Sequence, residues 1–131
     1  MKFVRLINST RDTVLCERCG VADNMFTRGR GLLGKSSLPQ GEGLLLIPGS
    51  SIHMFGMKFA LDVIFLTREN IVTDFVEDIG RGKVHVAKSQ QGKAYAAVEL
   101  AVGAIARSGT QIGDQLVIEQ DIGTAAIKPT Q

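Results

Sequence analysis

Short apolar runs separated by turn residues occupy most of the chain. Alternation of apolar and polar positions over about four to eight residues is typical of strands. The clearest hairpin joins residues 61–67 to residues 71–77 through the turn Arg68-Glu69-Asn70. Further strands are expected at residues 3–7, 13–19, 43–47, 84–87, 94–98 and 115–119.

Two segments have the composition of short helices. In residues 21–28, Asp23 and Asn24 suit a first helical turn, and Gly29 would end it. Residues 99–107 are rich in alanine and are followed by Ser108-Gly109, a common helix stop. The pattern predicts an α+β fold: a β-rich single domain, a partly closed antiparallel barrel with two short helices.

Length and composition fit one domain. The chain has 131 residues, of which 44% are hydrophobic, enough to fill a core. We expect residues 1–122 to form a single compact domain and residues 123–131 to be a weakly ordered C-terminal tail.

Charge and hydropathy exclude several classes of protein. Fifteen basic and thirteen acidic residues give a net charge of +2, which argues against a dedicated nucleic-acid binder. Arg5 interrupts the first apolar run, so no signal peptide is expected. The strongest apolar stretches, residues 44–47 and 63–66, are far shorter than the roughly 20 residues of a membrane span. We expect a cytoplasmic protein with no membrane association.

Residues 29–36 match the phosphate-binding pattern G-x-x-x-x-G-K-S and also G-x-G-x-x-G. A phosphate loop follows a buried strand and opens a helix, whereas Leu38-Pro39-Gln40-Gly41 cannot continue a helix. No acidic residue lies about 20 positions on, where a ribose contact belongs. We therefore interpret this segment as a glycine-rich loop and expect no nucleotide cofactor.

Cys16 and Cys19 form one C-x-x-C pair. With His53 and His85 they could complete a four-ligand metal site, but their spacing matches no compact zinc finger. A redox role would need the pair at a helix N-terminus, whereas it lies at the end of a predicted strand. The sequence favours two ordinary thiols and no bound metal.

Three segments carry a resemblance to a known family. They are residues 28–35 (RGRGLLGK), 51–66 (SIHMFGMKFALDVIFL) and 98–103 (VELAVG), followed by Gly113-Asp114. In this order they resemble the prokaryotic uncharacterised protein family 0127, also called domain of unknown function 192, over roughly residues 28–117. The resemblance implies a β-rich single domain and no established activity, cofactor or substrate. The chain departs from the family at Met54, where threonine is common, and in carrying the cysteine pair.

Six residues are candidates for a binding site. His53 could act as a general base or could orient a ligand, because histidine titrates near neutral pH. Met57 lies in a thioether-rich stretch that could line an apolar pocket or belong to the core. Arg28 and Arg30, bounded by glycines, could bind an anionic group or a carboxylate of a partner.

The two acidic candidates have structural alternatives. Asp62 lies between apolar neighbours, where an unpaired carboxylate would be costly, so we expect an ion pair with Arg28 or Arg30. Glu99 begins a predicted helix, where the helix dipole favours a carboxylate. Alternatively, His53, Asp62 and Glu99 share a cleft with Arg30.

These residues predict a non-enzymatic accessory module that binds a small ligand or a protein segment in a cleft near His53, Met57 and the Arg28/Arg30 loop. The alternative is a small hydrolase-like enzyme with His53 as base and Asp62 or Glu99 as its orienting group. No nucleophile is convincingly placed, so no catalytic residue is assigned. We expect a monomer, or a weak dimer formed through an exposed edge strand such as residues 3–7.

Overall fold

The computed structural model describes residues 1–24, 28 and 31–120. In this part of the chain, strands predominate, and helical conformation is limited to one short helix and to Arg28. The elements, in chain order, are β1 (Phe3–Asn8), β2 (Thr13–Ala22), β3 (Glu42–Leu46), β4 (Ser51–His53), β5 (Leu61–Leu66), β6 (Val72–Ile79), β7 (Val84–Val86), β8 (Ala96–Leu100), α1 (Ala104–Ser108) and β9 (Leu116–Glu119). The predicted β-rich fold is confirmed.

Seven strands form one mixed sheet in the order β6-β5-β8-β3-β2-β1-β9. The prediction of a purely antiparallel sheet is wrong, because β2 and β3 are parallel, with Arg18 opposite Glu42 and Ala22 opposite Leu46. A parallel pair needs a long crossover connection, and residues 23–41 provide it. The sequence pattern shows where the strands lie but does not show that β3 pairs with β2 in parallel.

The two ends of this sheet approach each other. Ile71 and Gln115 form an antiparallel bridge between the segments that precede β6 and β9. Beside it, the Val72 N–H donates to Asp114 O at 2.9 Å and the Leu116 N–H donates to Asn70 O at 2.9 Å. The sheet is therefore curled into a half-barrel. Because β1 pairs with both β2 and β9, residues 3–7 do not form an exposed edge, contrary to the expectation from sequence.

The predicted helix over residues 99–107 is wrong in its first half. Glu99 and Leu100 belong to β8, which pairs with β3 on one side and with β5 on the other. Both neighbouring strands supply backbone partners, so pairing overrides the alanine-rich composition. The helix starts only after Gly103 (φ 100°) and ends at Gly109 (φ 72°), two conformations that glycine adopts readily.

The helix predicted for residues 21–28 is also not confirmed. Val21 and Ala22 are the last residues of β2. Residues 25–27, 29 and 30 lie outside the described residues, as does the predicted tail at residues 123–131. Across the described ranges, no helix is long and apolar enough to cross a membrane.

Two apolar clusters cover the two faces of the central strands. Ile64, Leu66 and Val98 belong to one cluster, which also includes Ala104 and Ile105 of α1. The other contains Val63 and Phe65. Successive side chains of a strand point to opposite faces, so β5, buried along its whole length, contributes to both clusters.

The second cluster is covered by a small ribbon in which β4 pairs with β7. Ile52 of β4 is buried in this cluster. On β7, the His85 ring stacks on Phe65 with ring centroids 5.6 Å apart. Glu99 pairs with Val63 of β5 and with Leu44 of β3, and both partners belong to this second cluster. The ribbon therefore covers the sheet face on which the Glu99 side chain lies.

Candidate functional site

A cleft of about 370 Å³ lies between the β4 ribbon and a wall formed by Arg28 and residues 31–33. It brings together four of the six candidates predicted from sequence: Arg28, His53, Met57 and Glu99. The rest of its lining is Gly31, Leu32, Leu33, Leu46, Pro48, Gly49, Ser50, Ser51, Ile52 and Phe55. We call this the Glu99 cleft.

Glu99 is the buried acidic group of this cleft. Its position on a strand paired on both sides leaves the residue only 5% exposed. Burial raises the pKa of its carboxyl from an ordinary value of 4.5 to about 7, because desolvation disfavours the charged form. No described residue forms a hydrogen bond or an ion pair with this carboxyl group. The expected role at a helix N-terminus is wrong, since β8 continues through Glu99.

Arg28 contributes a second polar group for which the described residues offer no partner, its side-chain Nε. Its backbone N–H donates to Asn24 O at 3.0 Å, which holds the residue in a helical turn. Its side-chain Nε is buried and has no hydrogen-bond partner in the described part of the chain. A buried donor of this kind normally finds an acceptor. The neighbouring candidate Arg30 lies outside the described residues.

His53 lies at the solvent-exposed end of β4 and lines the cleft. Its ring stacks on Phe55 with centroids 5.1 Å apart and an interplanar angle of 27°. No carboxylate among the described residues accepts a hydrogen bond from it. A base needs an orienting partner, so the arrangement gives the hydrolase alternative no support.

Asp62 does not line this cleft, and its expected ion pair with Arg28 is not formed. Its Oδ1 accepts the Asp78 N–H at 2.9 Å, and its Oδ2 accepts the N–H groups of Gly103 and Ile105, each at 3.1 Å. The physical reason is the register: Asp62 lies opposite Leu100, one residue along from the pair of Val63 and Glu99. Asp62 and Glu99 therefore point to opposite faces of the sheet.

A pair that the sequence analysis missed fixes the ribbon. His85 Nε2 and Asp74 Oδ2 are hydrogen-bonded at 2.8 Å. Asp74 also accepts the Lys88 N–H at 2.9 Å and the side chain of Gln90 at 3.0 Å. Burial alone would raise the pKa of Asp74, but the hydrogen bonds from Lys88 and His85 outweigh it and lower the pKa. No sequence motif joins these residues; only the burial of an aspartate within an apolar strand indicates them.

The cysteines lie within β2 rather than at a strand end, and both are fully buried. Cys19 pairs with Val4 and Cys16 pairs with Leu6, with an irregularity in the register between the two pairs. Because of this irregularity, two cysteines three positions apart both face the core. The hydrogen bond with Cys16, together with burial, raises the pKa of the Cys19 thiol well above its ordinary value. His85 is engaged with Asp74, and no group of three metal-ligating side chains is found in the ranges described.

The phosphate-loop pattern does not have the structure that its chemistry needs. Residues 31–34 form turns, and no helix follows before β3 begins at Glu42. Residues 29 and 30 lie outside the described ranges. The described part of the motif therefore offers no helix N-terminus to a phosphate group.

The comparisons with known proteins identify the family. The model of the DUF192 family, described as "Uncharacterized ACR", matches residues 6–118. The chain belongs to this family. It is also 32% identical to a UPF0127 protein from Thermococcus sibiricus, in an alignment that covers 93% of this chain and 79% of that protein. The family membership anticipated from residues 28–117 is confirmed, and the match extends further towards the N-terminus.

Two solved structures share the fold. A protein of unknown function from Novosphingobium aromaticivorans matches with a TM-score of 0.71 and 22% identity, over 88% of this chain and 83% of that one. A candidate transcription regulator from Sinorhizobium meliloti matches with a TM-score of 0.72 and 21% identity, over 89% and 92% of the two chains. At this identity the two likenesses support the fold alone.

Proposed function

We propose that this protein is a binding module and that the Glu99 cleft holds an amide-bearing group of its ligand. The observation that carries the proposal is the Glu99 carboxyl, which lines a solvent-connected cleft while the residue is only 5% exposed. A buried carboxyl with no partner among the described residues costs free energy, so its presence in this cleft supports a role in binding.

Arg28 narrows the chemistry of the ligand. Its buried Nε needs an acceptor, whereas an ionised Glu99 needs a donor. A carboxamide offers both an N–H and a C=O. A carboxylate would meet Glu99 unfavourably, and an alkylammonium ion would meet Arg28 unfavourably. A neutral amide is therefore the group that best satisfies both sides of the cleft.

The apolar lining supplies the remaining contact surface. Leu33 is 42% exposed and Phe55 is 57% exposed, and both line the cleft together with Met57. Clefts that combine apolar walls with a few convergent polar groups are typical ligand sites. The aliphatic part of an amide-bearing ligand would pack on these side chains.

Three small probes of matched size test the proposal: propionamide, propionate and propylamine. We expect propionamide to bind most tightly and to shift the ¹H–¹⁵N signals of Gly31, Ser51, His53 and Glu99. In Glu99→Met, which keeps side-chain length but loses the carboxyl, propionamide affinity should fall at least about fivefold.

The control is Glu77→Met, because Glu77 is exposed on β6 and does not line the cleft. This variant should bind propionamide as the unmodified protein does. Shifts confined to residues outside the cleft, or equal responses to the three probes, would contradict the proposed function.

A further inference from the structure

One backbone edge of the β4 ribbon is unpaired where it borders the Glu99 cleft. β4 pairs only with β7 in the described part of the structure. Ala87 donates its N–H to Ser50 O at 2.9 Å, and Met54 donates its N–H to Lys83 O at 2.8 Å. Between these bonds, Ile52 lies opposite His85.

This register directs the other two residues of β4 away from β7. In an antiparallel pair, the residues that exchange hydrogen bonds alternate with residues whose N–H and C=O groups point outwards. Ser50, Ile52 and Met54 face β7, so the backbone groups of Ser51 and His53 face the opposite edge. Both residues line the cleft, and no described backbone group forms a hydrogen bond with either of them on that side.

We propose that the occupant of the Glu99 cleft is an extended peptide segment of a partner protein, which adds a strand to the outer edge of β4. The proposal rests on the proposed function and names its ligand class. An unpaired strand edge selects an extended backbone. A peptide backbone is also a chain of amides, the group that Glu99 and Arg28 best accommodate.

A second groove extends the surface available to this peptide. It has a volume of about 510 Å³ and shares Pro48, Gly49 and Ser50 with the Glu99 cleft. Arg68 and Lys93 line it, and Glu69 is the one acidic residue among the described residues that do so. The net positive charge favours an acidic peptide residue beyond Ser50. The apolar lining of the Glu99 cleft favours apolar residues beside His53.

The first test is selection of a phage-displayed random decapeptide library on the full chain, followed by calorimetry with the enriched synthetic peptide. N-methylation then removes one peptide N–H at a time. Because alternate N–H groups of an added strand face β4, we expect affinity to fall at least about tenfold at every second position and to change little at those between.

A protein variant tests which edge is used. Ser51→Pro removes an N–H that faces the cleft. Val86→Pro is the matched control, because proline there removes an N–H from the outer edge of β7 instead. Proline is tolerated at strand edges where its N–H makes no ladder bond. We expect Ser51→Pro to weaken peptide binding at least about tenfold and Val86→Pro to change it less than about twofold.

The remaining outcomes separate this inference from the proposed function. Binding of propionamide in the cleft without any enriched peptide would overturn the peptide proposal alone, whereas failure of propionamide would overturn the proposed function. An N-methylation profile without a period of two would overturn strand addition. A dimer of the chain that Ser51→Pro dissociates would assign the edge to a second copy instead.

Discussion

Glu99 and Arg28 line one cleft, and neither the Glu99 carboxyl nor the Arg28 Nε has a hydrogen-bond partner within the described residues. The buried carboxylates of Asp62 and Asp74, by contrast, have hydrogen-bond partners. Asp62 accepts three backbone N–H groups, and Asp74 accepts hydrogen bonds on both of its oxygens. Under the proposed function, this contrast distinguishes the polar groups that hold the fold from those that bind the ligand.

The raised pKa of Glu99 predicts a specific dependence of stability on pH. An acid whose pKa is higher in the folded state stabilises the fold below its unfolded value of 4.5, and this contribution is lost as pH rises through about 7. Glu99→Gln should remove this dependence and be more stable than the unmodified protein at pH 8 by up to about 3 kcal/mol. Urea unfolding between pH 4 and pH 9 measures it.

The control for this prediction is Glu77→Gln, which removes the same charge from an exposed position of β6. Its stability profile should parallel that of the unmodified protein. Parallel profiles for Glu99→Gln and the unmodified protein would contradict the raised pKa.

Asp62 should be a structural residue. In Asp62→Asn, one side-chain oxygen is replaced by an NH₂ group, which cannot accept all three backbone N–H donors. We expect a loss of about 2–4 kcal/mol in the free energy of unfolding, with propionamide affinity at the Glu99 cleft unchanged in the folded fraction. Asp78→Asn is the matched control, because it keeps the N–H that donates to Asp62, and asparagine tolerates its φ of 52°. Equal stability of the two variants would be inconsistent with this role.

Gly43 allows β3 to approach β8 closely. A Cβ at this position would lie 2.6 Å from Glu99 O and 3.1 Å from Cys16 Sγ, and the backbone oxygen cannot move aside without disturbing the ladder. Gly43→Ala should therefore lower the free energy of unfolding by about 1–3 kcal/mol.

Gly20→Ala is the control for Gly43→Ala, because it adds the same methyl group where the nearest atom can move aside. A Cβ at position 20 would lie closest to the sulfur of Met1, which is at the end of a flexible side chain, so the cost should stay below about 1 kcal/mol. Thermal and urea unfolding of both variants provide the test, and a larger loss for Gly20→Ala would refute the argument.

Asp74 should control the order of the β4 ribbon. Replacing it with asparagine weakens the hydrogen bonds that hold His85 and Lys88. We expect amide hydrogen exchange of Ile52 and Met54 to accelerate at least about tenfold in Asp74→Asn. Asp12→Asn, in the turn after β1, should leave this exchange unchanged.

The stabilisation that Asp74 gives the ribbon should depend on pH in the opposite direction to the stabilisation that Glu99 gives the fold. Because the pKa of Asp74 is lowered in the folded protein, its ionised carboxyl stabilises the fold at pH values above its ordinary pKa of 3.8. This stabilisation is lost as pH falls through the pKa of the folded state. Exchange protection of Ile52 should therefore persist at pH 5. Loss of protection already at pH 5 would argue against the anchoring role of Asp74.

The sequence predicted the strands better than their arrangement. The hairpin of β5 and β6 follows from two apolar runs around a short turn, which is a local signal. The parallel pairing of β2 and β3 is not local, because it depends on where the connection over residues 23–41 returns to the sheet. Alanine-rich composition favours a helix at Glu99, whereas pairing on both sides of β8 makes it part of a strand.

The candidate site can likewise be predicted only in part, because local signals are visible in the sequence and strand register is not. Met57 and His53 lie in the segment that forms the cleft wall, so their proximity could be anticipated. The separation of Asp62 from Glu99 depends on the register of β5 against β8, since one residue of offset places a side chain on the other face of the sheet. The pair of Asp74 and His85 joins β6 to β7 and has no signature in sequence.

The most direct test of the central claim is a ¹³C NMR titration of the Glu99 side-chain carboxyl, in the free protein and with propionamide at saturation. We predict a midpoint near pH 7 in the free protein and a lower midpoint with propionamide, because an amide N–H stabilises the ionised carboxylate. A midpoint at the ordinary value of 4.5 in the free protein, or one that propionamide leaves unchanged, would contradict the assignment of Glu99 as the ligand-binding group.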